Sequence, residues 1–145
     1  MIELAALLER ARQTGDASVL LEAIPYAAFL GLSVSRDADG TIGTMAFAEH
    51  LVGDASIPAL HGGTLAALLE STAILSVMID PKTSAMPRTI TITIDYLRSG
   101  RTQPTHCRAR IVRQGRRVAV VAAEAYQDAR DKPVATAIVH LLVAE

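Results

Sequence analysis

The 145-residue sequence has no tryptophan, only three tyrosines and two phenylalanines, and a single cysteine, Cys107. So few aromatic rings argue against a stacking platform for single-stranded nucleic acid. One cysteine excludes an intrachain disulfide framework and any structural metal site built from cysteines, so a reducing cytoplasm is the expected compartment. Neither sign of charge dominates, with 14 Lys and Arg against 15 Asp and Glu. Such a balance offers no general field for a nucleic-acid backbone or an anionic membrane, and any anionic ligand must be met by a local cluster. The first residues, Met1-Ile2-Glu3, lack the positive and then apolar regions of a secretory signal. The most apolar stretch, Leu65 to Ile79, is short for a bilayer and carries Glu70 near its middle. There is no G-x-S-x-G elbow, no G-x-G-x-x-G and no P-loop, and His50, His106 and His140 lack metal-ligand spacing. No metal, cofactor, nucleic acid or membrane is expected, and the chain reads as a soluble protein.

Half of the residues are apolar, enough for one domain to bury a core without staples. Leu4, Leu7, Leu8 and Ala11 follow the spacing of an amphipathic helix that Gly15 and Asp16 end. A second helical piece is expected from Ser18 to Ala23, broken by Pro25, so residues 1–24 read as a helical extension and 25–145 as the main domain. Leu30 to Ser35 and Thr41 to Ala48 read as a hairpin around Asp37-Ala38-Asp39-Gly40, followed by a loop to His61. Thr64 through Ile79 is apolar nearly all round, which predicts a helix wrapped by protein on every side. Thr89 to Tyr96 alternates strictly, placing Thr89, Thr91, Thr93 and Asp95 on one face and Ile90, Ile92, Ile94 and Tyr96 on the other. Three more strands, His106 to Arg113, Val118 to Tyr126 and Val134 to Val143, follow as a meander. Two strands, one long helix, then four strands implies an α+β fold, a single antiparallel sheet curled around a helix. Its edge strands are expected to pair across a two-fold axis in a homo-oligomer.

Glu70 is the only ionisable side chain between His61 and Asp80. A carboxylate inside an apolar helix is costly unless it is paired or functional. His61-Gly62-Gly63 precedes the helix, where backbone N–H groups lack intrahelical acceptors and favour negative charge. Two glycines let a ligand approach closely, and such N–H groups suit an oxygen gaining charge in a tetrahedral transition state. A threonine near the start of the alternating strand, Thr89, is placed to hold a water or the carboxylate, although threonine is also an ordinary β-former. Arginines recur at Arg98, Arg101, Arg108, Arg110, Arg113, Arg116 and Arg117, either a patch for phosphates or a solvated charged hairpin.

His61-Gly62-Gly63-Thr64-Leu65-Ala66-Ala67-Leu68-Leu69-Glu70 resembles the HGG-x(6)-[D/E] motif of hotdog-fold thioesterases of the phenylacetic acid degradation (PaaI-like) and 4-hydroxybenzoyl-CoA group. Thr89 to Arg98 resembles that group's third strand, and Arg113-Gln114-Gly115-Arg116 its later hairpin, so the likeness spans about residues 25 to 143. The resemblance implies hydrolysis of an acyl-CoA thioester, with Glu70 as general base or nucleophile. It implies Gly62, with Gly63 and the adjoining His61, as the thioester-polarising helix start, and Thr89 as a group orienting the water. It also implies a site between two subunits of a homodimer or homotetramer, Glu70 facing Thr89 of the other chain. Arg98, Ser99 and the Arg113, Arg116 and Arg117 turn would then lie near the nucleotide end of CoA. Two departures stand out: the loop offers His50 and Asp54 where many relatives have Asn, and Ser99-Gly100 replaces a frequent Pro-Ala. A non-catalytic acyl-CoA-binding module of the same fold is the alternative; a hydratase is disfavoured because no matching Asp-His pair stands out.

Overall fold

The computed structural model describes residues 3–83 and 86–144; Met1, Ile2 and part of the loop before Pro87 lie outside them. The chain begins with helix α1 (Leu4–Thr14), a 3-10 turn (Ala17–Ala23) and helix α2 (Pro25–Leu30). Gly15, at φ 72°, closes α1 in the left-handed conformation that glycine adopts without penalty. The 3-10 turn ends at Ala23, just ahead of Pro25 as expected, but Pro25 also begins a new element. It opens α2 at the first helical position, where a missing N–H costs nothing and its fixed φ is already helical.

Strands β1 (Leu32–Asp37) and β2 (Gly40–Met45) form the hairpin, and helix α3 (Gly62–Ile79) follows a loop that contains one 3-10 turn. Then come β3 (Arg88–Tyr96), β4 (Thr105–Gln114), β5 (Val118–Tyr126) and β6 (Ala135–Leu142). All six strands join one antiparallel sheet in the order β1-β2-β4-β5-β6-β3, which leaves β1 and β3 as its edges. Helix α3 crosses one face of this sheet. The strand registers place small residues beneath it: Thr41, Ala109, Ala123 and Ala137 form one row, and Gly43, Cys107, Ala125 and Ala135 the next. Leu68, Leu69 and Leu75 of α3 share one core with Val121, Val139 and Leu141 of the sheet, each buried completely or nearly so. Burying each such side chain is worth about 1.5–3 kcal/mol, which makes the helix-sheet contact the centre of the fold's stability.

The N-terminal segment shares this core through Leu7, Ala11, Val19, Leu20 and Leu30. It also reaches the far end of α3. The Arg12 guanidinium donates to the carbonyl oxygens of Met78 (3.2 Å), in the last turn where a helix leaves carbonyls without intrahelical partners, of the C-cap Asp80 (3.2 Å) and of Thr83 (2.7 Å) in the loop beyond.

Two further contacts make predictions. Cys107 is fully buried under α3, and burial pushes its thiol up to about 12. A thiolate is the reactive form, so the native protein should resist thiol-modifying reagents and yield its one thiol only on unfolding, as an Ellman titration with and without denaturant will show. On the outer sheet face Arg108 grips Asp37 through two hydrogen bonds of 2.6 and 2.8 Å. The Arg108 hydrogen bonds hold the Asp37 carboxyl down from its ordinary 3.8 to about 2. A depressed carboxyl contributes stability above its unfolded value and loses it as pH falls through the folded one. Asp37→Asn should therefore lower Tm at neutral pH, and its difference from wild type should shrink between about pH 4 and pH 2.

Candidate active site

His61 is the N-cap of α3. Its ring Nδ1 accepts the Gly63 N–H at 2.8 Å, and its carbonyl accepts the Thr64 N–H at 2.9 Å. The Gly62 N–H has no acceptor among the described residues, so Gly62, not Gly63, presents the free donor at the helix start. His61 thereby acts as a cap whose Nδ1 must be unprotonated to accept. His50 and Asp54, the two loop candidates, are both engaged locally: His50 Nε2 lies 2.7 Å from the Phe29 carbonyl, and Asp54 accepts from Ser56.

Helix α3 is less enclosed than its composition suggests. Gly63, Ala66, Ala67, Glu70, Ser71 and Ile74 recur at helical spacing on one flank and are half-buried or exposed, while the other side of the helix is buried. Glu70 thus sits at the middle of an open stripe, half-buried, with the sheet on one side. Thr89 Oγ1 donates to Glu70 Oε1 at 2.6 Å.

That bond depends on an irregularity in β3. The pairing of β3 with β6 shifts between Thr89 and Thr91, so Ile90 is an extra residue and the alternation changes sides. Thr89 pairs with buried Leu141, and Ile92, Ile94 and Tyr96 pair with buried Val139, Ala137 and Ala135; all four face the helix. Thr91, Thr93 and Asp95 face outward. The strict alternation expected from sequence is therefore wrong at its first step: Thr89 does not share a face with Thr91 and Thr93. Within this chain Glu70 already has Thr89 as its partner, where the resemblance implied Thr89 of another subunit.

Gly62 and Glu70 are eight residues apart on one helix, about 12 Å along its axis. A reacting carbonyl must lie about 3 Å from both its donor and its attacking group, so one chain does not bring these two to the same carbonyl.

The basic residues do not form one cluster. Arg98 and Ser99 follow the C-terminal end of β3, beside Lys132 and Arg101, with Arg98 Nε on the Pro133 carbonyl and Arg101 paired to Asp128. Arg113, Arg116 and Arg117 lie at the β4–β5 turn, exposed, at the other end of strands roughly 25 Å long. Within one chain these are two separate patches. Among the described residues no group of His, Cys, Asp and Glu is placed to hold a metal ion.

Sequence reasoning also missed Tyr96. Its hydroxyl donates to the Gly62 carbonyl at 2.9 Å, and its position at the inner-facing end of β3 was the available signal.

A six-stranded antiparallel sheet laid against one long helix, with helical segments ahead of it, is the hotdog fold of thioesterases. The chain belongs to the acyl-CoA thioesterase N-terminal domain family, which matches residues 52–142, and at the level of that family it is a thioester hydrolase. A Chromobacterium violaceum protein of known structure is 33% identical, with 95% of this chain and 96% of that one covered and a TM-score of 0.76. The same fold is shared by a phenylacetic acid degradation-related protein of Ralstonia eutropha JMP134, at 23% identity, 94% and 99% coverage and a TM-score of 0.77. It is shared too by a Haemophilus influenzae thioesterase, at 19% identity, 100% and 92% coverage and a TM-score of 0.74. No curated protein matches the sequence.

Proposed function

We propose that the protein hydrolyses an acyl-CoA thioester to a carboxylic acid and free CoA, with Glu70 as the reacting carboxylate. The observation that carries this reading is the Thr89–Glu70 hydrogen bond on the open flank of α3. Donation to Oε1 fixes the carboxylate in one orientation and leaves Oε2 available. Glu70 then either takes a proton from water as hydroxide attacks the acyl carbon, or attacks that carbon itself and gives an anhydride that water opens. In both routes the carbonyl oxygen gains charge facing the Gly62 N–H, the C–S bond breaks, and the CoA sulfur leaves as thiolate and takes up a proton.

The separation of Gly62 from Glu70 supports a site built by two chains, in which Glu70 and Thr89 of one copy face the Gly62 amide of another. The unpaired edge of β3 and the open flank of α3 offer the surfaces for such a homodimer, or for a homotetramer of two dimers. Arg98 and Ser99 of one copy, and Arg113, Arg116 and Arg117 of the other, are the cations proposed for the CoA phosphates. The test is thiol release by the purified protein across aryl-, short-, medium- and long-chain acyl-CoAs. Release identifies the enzyme and ranks its substrates; tight binding of the thioesters with no release would replace this reading by a non-catalytic acyl-CoA module.

A further inference from the structure

Two adjacent glycines leave a backbone loose, because glycine samples both signs of φ at little cost. At the start of α3 that freedom is removed from outside. The peptide unit joining Gly62 to Gly63 is held at both ends: its carbonyl oxygen accepts from the Tyr96 hydroxyl at 2.9 Å, and its N–H donates to His61 Nδ1 at 2.8 Å. The Tyr96 ring lies over Gly62 so closely that a Cβ there would stand 3.3 Å from its Cε1 and 3.4 Å from its Cζ. The free N–H belongs to the preceding peptide unit. That unit is held through its own carbonyl, on His61, which accepts the Thr64 N–H at 2.9 Å and the Thr64 hydroxyl at 2.6 Å. With the following unit pinned by Tyr96 and His61, the two torsions of Gly62 between them are set from both sides.

Tyr96 is 54% exposed, so little of its value is core packing. Its hydroxyl does not point at Glu70 or Thr89 but at the helix start. We propose that Tyr96 is a positioning residue that, with the His61 cap, aims the Gly62 N–H at the thioester oxygen. This rests on the thioesterase reading above. Thioester binding draws mainly on contacts along the acyl chain and CoA, whereas the aimed N–H acts most as charge develops on the oxygen. Loss of the clamp should therefore appear in kcat and not in KM.

The experiment compares wild type, Tyr96→Phe and Glu70→Ala on the best acyl-CoA substrate. Tyr96→Phe keeps the ring over Gly62 and removes only the hydroxyl. Its kcat should fall about tenfold, a fraction of what complete loss of an oxyanion donor costs, with KM changed by less than about twofold. Tm should be unchanged, and hydrogen exchange at the Gly63 amide, the bonded N–H of the clamped unit, should speed up. A Tyr96→Phe enzyme with wild-type kcat, beside an inactive Glu70→Ala, would overturn the positioning role and leave the thioesterase reading intact. A fall in kcat that tracks a fall in Tm would reduce Tyr96 to a structural contact. Wild-type protein that releases no thiol from any acyl-CoA would overturn both.

Discussion

Glu70→Ala should lower kcat for thiol release by roughly three orders of magnitude, the middle of what a positioned acid-base group contributes. Because Glu70 lies half-buried on the open flank of α3, its truncation leaves no closed cavity. The cost to folding is the Thr89 hydrogen bond, about 1 kcal/mol, offset by relief from desolvating a carboxylate. Circular dichroism and Tm should thus match wild type while turnover is lost. Glu70→Gln sharpens the result: the amide oxygen still accepts from Thr89, so the geometry survives, yet the side chain neither accepts a proton nor attacks carbon. Equal loss in both variants assigns the effect to the carboxylate's chemistry. Near wild-type turnover in either would remove Glu70 from its role. Single turnovers in labelled water separate the two routes, since only attack by Glu70 itself carries label into its side chain.

Gly43→Ala should be among the most damaging small substitutions in the chain. A Cβ at Gly43 would lie 2.2 Å from Thr72 Oγ1 and 3.3 Å from both Thr72 Cβ and Cγ2. Thr72 does not swing aside: it is fully buried, β-branched, and its hydroxyl donates to the Leu68 carbonyl at 2.7 Å. The added methyl must push α3 off the sheet at the point of closest approach. Overpacking of this kind costs about 1–3 kcal/mol, seen as a lower denaturant midpoint with the slope preserved. Thr72 is two residues from Glu70, so activity should fall further than stability alone explains. Gly43→Ala combined with Thr72→Ala removes the two nearest side-chain obstacles and should recover part of the loss, a non-additivity expected of residues in contact. If Gly43→Ala alone unfolds like wild type, the helix and sheet are not in this close contact.

Elements with strong patterns were legible in the sequence. The α3 segment, the meander of β4 to β6 and the isolated Glu70 all follow from periodicity and from one charge out of place. What escaped were features set by tertiary contact. Pro25 carries the same residue identity whether it stops a helix or starts one, and only the chain after it decides. The extra residue at Ile90 leaves no mark in Thr89-Ile90-Thr91-Ile92, whose perfect alternation points Thr89 away from the helix it in fact faces. The open flank of α3 carries Ala66, Ala67 and Ile74 beside Glu70 and Ser71, while the buried side carries Thr72 and Ser76 among its leucines, so composition does not reveal which side lacks a cover. The two arginine patches look like one group because sequence gives no direction to the strands that separate them.

The contacts at the two ends of α3 have a consequence for where its carboxylate sits. Leucines and valines along the shaft hold the helix against the sheet, but greasy contacts vary little if a helix slides lengthwise by a fraction of a turn. Directional bonds do not tolerate such sliding. The Tyr96 hydroxyl on the Gly62 carbonyl at one end, and Arg12 at the other, on the Met78, Asp80 and Thr83 carbonyls, act as stops that define its axial position. The depth at which Glu70 meets Thr89 is thus gauged partly by an arginine in the first helix, far from any reacting atom.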